Sequence, residues 1–92
     1  MKRADYKKII YDFVEGKAGP WEWDDFISIE SRDDILNLLR EYCSNVQLLY
    51  PGNQELGEYC DSLGAMKLIE AGDAYGKNDE SFETWLAHQE KR

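Results

Sequence analysis

Apolar residues recur at offsets of three and four along nearly all of this chain, and no two segments offer the period-two alternation of a strand and its partner. Tyr6, Ile9, Ile10, Phe13 and Val14 make one such stripe, with Lys7, Lys8 and Asp12 falling away from it. Gly16 supplies a stop, and Gly19 and Pro20 a loop. Ile35, Leu38, Leu39, Tyr42 and Cys43 make a second stripe. Ser31 reads as its N-cap, with Asp34 three residues on in a capping-box-like start and Asp33 at the positive end of the helix dipole. Further on, a helix is expected from about Leu63 to Ala71, bracketed by Gly64 and Gly72 and extended by Ala74 and Tyr75. Asp79 is expected to cap a last helix whose inward stripe is Phe82, Trp85 and Leu86, with Gln89 to Arg92 fraying.

Three segments read less directly. Trp21 to Ile29 could alternate as a strand, but the adjacent Asp24 and Asp25 disfavour one, and a short helix starting near Trp23 fits better. Val46, Leu48, Leu49 and Tyr50 form an apolar run before the Pro51-Gly52 turn, expected as a separate short helix or an extended buried connection. Leu56, Tyr59 and Cys60 stand at helical spacing, weakened by Gly57. The expected fold is all-α: one compact domain over residues 1–92, built from four to six short helices. Ninety-two residues leave no room for two cores, and twelve aromatic side chains suit a small one.

Charge is distributed unevenly. Residues 18–66 hold ten carboxylates against two arginines, Arg32 and Arg40, so this stretch alone carries −8, the whole formal charge of the protein. The first 17 residues sum to +2 and the last 26 to −2. Such an acidic zone attracts basic partners and repels nucleic acid. No apolar run is long enough to span a membrane. The basic start is followed by a segment interrupted by Asp12 and Glu15, unlike a signal peptide, so a cytoplasmic protein is expected. Cys43 and Cys60 are then expected as reduced, packed thiols.

The usual catalytic signatures are missing. His88 is the sole histidine, and no zinc, calcium or nucleotide-binding spacing occurs, so no metal, cofactor or catalytic residue is expected. Asp61 beside Cys60 would raise a thiol pKa, which argues against a nucleophile. What remains is the cluster Trp21-Glu22-Trp23-Asp24-Asp25-Phe26, three rings and three carboxylates in six residues. Trp23 and Phe26 can pack inward while Trp21 stays at the surface as an anchor, flanked by steering charge. The candidate partner-binding residues are Trp21, Glu22, Asp24, Asp25, Asp33, Asp34, Glu41, Glu55, Glu58, Tyr59 and Asp61.

From Phe13 to about Tyr59 the chain resembles small acidic bacterial immunity proteins of contact-dependent or polymorphic toxin systems. The resemblance is carried by Trp23-Asp24-Asp25-Phe26, the helix Ile35 to Tyr42 and the turn Tyr50-Pro51. It implies an inhibitor rather than a catalyst, with a cognate toxin domain encoded beside this protein as the partner. The acidic-aromatic surface adds the expectation that this partner is basic, a nuclease, and that its active site is occluded. The same surface would equally serve an acidic adaptor or regulatory module without a toxin partner.

Overall fold

The computed structural model describes residues 2–19 and 21–90 and contains five α-helices. These are α1 (Arg3–Val14), α2 (Glu22–Ser28), α3 (Asp34–Leu49), α4 (Ser62–Lys77) and α5 (Asp79–Glu90), with a 3-10 turn at Gln54–Leu56. The expected all-α class is what folds, and the radius of gyration, 12.5 Å, is that of a single compact globule.

Helix α4 is the hub, packing against α1, α3 and α5. Its inward stripe, Gly64, Leu68, Ala71, Gly72 and Tyr75, alternates small and large side chains. Small residues let neighbours come close: a Cβ on Gly72 would stand 3.4 Å from Ile10 Cδ1 of α1. Ile10 is fully buried there, while Tyr6, Ile9, Phe13 and Val14 pack around it, as the periodicity predicts. Helix α1 ends where expected, because Gly16 takes φ +76°, a conformation that L side chains avoid. Arg3 ties the start of α1 to the far end of α4, donating to Tyr75 O at 2.9 Å and pairing with Asp79.

Several local expectations are corrected. Asp33, not Ser31, caps α3: its Oδ1 accepts from Ile35 N at 3.0 Å and Leu36 N at 3.2 Å. Ser31 Oγ instead accepts from Asp33 N, steadying the cap from outside the helix. The run Val46 to Leu49 is neither a separate helix nor an extended connection but the last turn of α3. Helix α3 stops at Tyr50 because Pro51 follows, and the residue before proline is pushed out of the α region. Between Leu56 and Cys60 no α-helix forms, because Gly57 sits at φ +70°. Helix α4 begins at Ser62 and runs through the expected extension at Ala74 and Tyr75 to Lys77. Asn78, not Asp79, caps α5, its Oδ1 accepting from Ser81 N at 2.7 Å. The loop at Pro20 and the last two residues of the expected frayed end, Lys91 and Arg92, lie outside the described residues.

Candidate functional site

Helix α2 is placed by an aromatic cluster on its inner face. Trp23 and Phe26 stand three residues apart and both turn inward. The Trp23 ring stacks on Phe13 of α1, centroids 3.9 Å apart, and Tyr59 stands edge-on to both rings. Packing Trp23 and Phe26 inside forces Glu22, Asp24 and Asp25 outside, where all three are exposed. Trp21, one residue before the helix, is 72% exposed.

The other end of α2 is held by Arg40 of α3. This side chain is only 8% exposed. Its Nε donates to Phe26 O at 2.9 Å, and one terminal nitrogen donates to Ile27 O at 3.3 Å. The second terminal nitrogen donates to Asn37 Oδ1 at 2.6 Å. A guanidinium at the last turn of a helix satisfies carbonyls that have no intrahelical donor and complements the negative end of the dipole. One of the two cations of the acidic stretch is therefore turned inward on backbone oxygens rather than on a carboxylate.

The ion pairs leave the same stretch untouched. Among the described residues they join Arg3 to Asp79, Lys7 to Asp73, Lys8 to Asp12, Lys17 to Glu15 and Lys67 to Glu70. None reaches a carboxylate between residues 18 and 66.

Those carboxylates occupy different places. Asp24 lines a cleft of about 680 Å³ together with Glu58, Tyr59, Phe13, Trp23 and Leu48. Glu58 Oε1 accepts from Asn53 N at 2.8 Å, and the Tyr59 hydroxyl donates to Cys43 O at 2.8 Å. Burial raises the Tyr59 pKa, partly offset by the nearby Trp23 indole N–H, with the Asp24 charge a minor addition. On the opposite flank of α2, Glu22 and Asp25 join Glu30 around a groove of about 400 Å³, lined by Tyr6, Ile9, Phe26, Ile29 and Arg40 among others. Glu41 lies apart, in a groove of about 310 Å³ between α3 and α5 with Leu38, Tyr42, Leu49 and Leu86.

Asp33, Asp34, Glu55 and Asp61 line none of these three. Asp33 and Asp61 cap α3 and α4, Asp61 Oδ1 accepting from Gly64 N at 2.8 Å. Asp34 opens α3, and Glu55 lies in the 3-10 turn; both are exposed. Glu30, Ile29 and Arg40 join the α2 surface without a sequence signal that singles them out. Arg40 reads from the chain as one more surface cation.

Among the described residues, no three His, Cys, Asp or Glu side chains are grouped to hold a metal ion. Burial pushes the pKa of Cys43 far up, and burial followed by the charges of Asp61 and Glu58 raises that of Cys60. Neither thiol is therefore a ready nucleophile. His88 is exposed, its Nδ1 2.8 Å from Thr84 O of its own helix. No helix among the described residues is long and apolar enough to cross a membrane. No protein-family model matches the chain, and neither does any curated protein or solved structure.

Proposed function

We propose that this protein is an immunity protein: a cytoplasmic binder that neutralises a cognate basic toxin domain, a nuclease, by covering its active site with the α2 surface. One observation carries the proposal. Helix α2 presents three exposed carboxylates beside a 72% exposed tryptophan, and among the described residues none of the three is in an ion pair, although the charge of Glu22 is felt by Lys8.

Each part has a binding consequence. Unpaired exposed carboxylates keep their field and speed encounter with a cationic surface. An exposed indole beside them supplies the large apolar contact on which hot spots depend. Nucleases bind the phosphate backbone through Lys and Arg, and those side chains are what such a surface would meet and occupy. A rigid α2, clamped at one end by Arg40 and at the other by the Phe13–Trp23 stack, lowers the ordering cost of association.

The test is co-expression with the product of the adjacent reading frame in a heterologous bacterial host. The expected result is that the neighbour alone arrests growth, that this chain restores it, and that the two copurify. A neighbour that is harmless, or toxicity that this chain leaves unchanged, overturns the toxin assignment. An adaptor role would then remain for a basic partner of another kind.

A further inference from the structure

The groove between α2 and the α1–α3 pair combines features that single out one kind of occupant. Its walls are apolar: Tyr6 and Ile9 from α1, Phe26 from α2, Leu36 from α3, and Ile29, which is 65% exposed. Its rim is acidic: Glu22, Asp25 and Glu30 are all exposed and none is in an ion pair among the described residues. Among the described residues the one cation lining it, Arg40, donates to Phe26 O, Ile27 O and Asn37 Oδ1 instead of to the rim. The groove therefore carries a net negative charge over an apolar floor.

We propose that this groove receives an arginine side chain of the protein partner, with its methylene stem along Ile9, Phe26 and Ile29 and its guanidinium among Glu22, Asp25 and Glu30. The proposal rests on the reading of α2 as the partner-binding surface and names the residue type that enters it. Arginine fits better than lysine for three reasons. Its head is weakly hydrated, so it leaves water at lower cost. It meets carboxylates in pairs, and three stand on this rim. Its flat face packs on an aromatic ring, and the partly exposed Tyr6 supplies one. A second copy of this chain is a poor occupant, because each copy carries −8 and would bring carboxylates to carboxylates.

The groove can be tested without the partner, by amide chemical-shift titration of the intact chain with n-butylguanidinium chloride. Methylguanidinium, which lacks the stem, and n-butylammonium, which lacks the planar head, serve as comparison probes. Shifts are expected at Tyr6, Ile9, Ile29 and Ser31, with methylguanidinium binding at least about fivefold more weakly, since burying even part of three methylenes is worth that much. Butylammonium should also bind more weakly than butylguanidinium. Ile29→Ser, at an exposed position, should weaken butylguanidinium and leave methylguanidinium unchanged. The double variant Glu22→Gln/Glu30→Gln should abolish the localised shifts while circular dichroism stays native. Shifts of equal size at the carboxylates of α5, such as Glu80 and Glu83, would overturn the assignment, as would equal binding of the two guanidinium probes. Localised binding of butylguanidinium alongside a failed toxin test would overturn the toxin reading and keep the groove. A toxin complex unaffected by Glu22→Gln/Glu30→Gln, with no localised shifts, would do the reverse.

Discussion

Replacing Arg40 by methionine is the most informative single change in the fold. Methionine keeps the length and the apolar stem, so packing is little altered and the lost guanidinium is isolated. Three donated bonds disappear, to Phe26 O, Ile27 O and Asn37 Oδ1. Hydrogen bonds from a charged donor contribute about 1.5–3 kcal/mol each. Asn37 Oδ1 retains a donor, Ser31 N at 2.8 Å, so only the two carbonyls at the end of α2 are stranded. Their loss costs about 3–6 kcal/mol. Relief from burying a charge returns about 1–3 kcal/mol. At the middle of both ranges the net is a destabilisation of about 2.5 kcal/mol. For 92 residues the unfolding entropy is about 0.19 kcal/mol/K, so each kcal/mol lowers Tm by about 5 °C. Thermal unfolding followed by circular dichroism should therefore show Arg40→Met melting about 12 °C below wild type. Arg40→Lys should fall between the two, because one ammonium cannot span acceptors set for a planar fork. A Tm for Arg40→Met within 3 °C of wild type would refute the claim that the guanidinium holds α2 in place.

Other outcomes follow from the same packing. Gly64→Ala places a Cβ 2.8 Å from both Cys60 Cβ and Tyr50 Cβ, so a loss of about 1–3 kcal/mol is expected in denaturant titration, whereas Gly19→Ala, with nothing nearer than 3.9 Å, should be close to neutral. Iodoacetamide at pH 8 should modify Cys60 slowly and Cys43 only after unfolding, as mass spectrometry of the digested protein would show; rapid labelling of Cys43 would contradict its burial. Because folding raises the Cys43 pKa, its contribution to stability is full below about pH 8.5, the unfolded value, and is lost as pH rises beyond it. Asp24→Lys/Asp25→Lys should keep a native circular dichroism spectrum and lower Tm by only about 5 °C, because both side chains are exposed but lie in the first turn of α2, while weakening capture of the proposed basic partner by surface plasmon resonance.

Features set by local chemistry were legible in the chain. The stripe from Tyr6 to Val14, the stop at Gly16 and the inward pair Trp23 and Phe26 follow from 3.6-residue periodicity and from glycine's access to positive φ. Features set by competition between near neighbours were misplaced. Ser31 and Asp33 are both good caps, and the choice between them turned on which oxygen reaches the amides of Ile35 and Leu36. Leu48 and Leu49 look like core residues, yet both are exposed on the end of α3; the stripe of Leu39, Tyr42, Cys43 and Val46 leaves Leu48 outside, but Leu49, seven residues past Tyr42, falls on it and periodicity alone does not expose it. Features set by distant partners were invisible. Arg40 meets Phe26 O fourteen residues away through a turn whose path the sequence does not encode locally. The candidate carboxylates show the same division. Glu22, Asp24 and Asp25 share a helix and are all exposed, but Asp24 faces the Tyr59 cleft and Glu22 and Asp25 the opposite flank, while Glu41 lies in the groove between α3 and α5 and Asp61 is engaged as a cap.

The salt dependence of association tests the central claim most directly. The screening length falls from about 30 Å at 0.01 M salt to about 10 Å at 0.1 M, so a field from unpaired carboxylates on α2 acts at a distance only at low ionic strength. Stopped-flow mixing of this chain with the purified product of the adjacent reading frame, the partner of the proposed function, should show an association rate that drops at least about tenfold over that range, with a dissociation rate that changes far less. An association rate that is flat across the same range would contradict the claim that these acidic side chains steer a cationic partner.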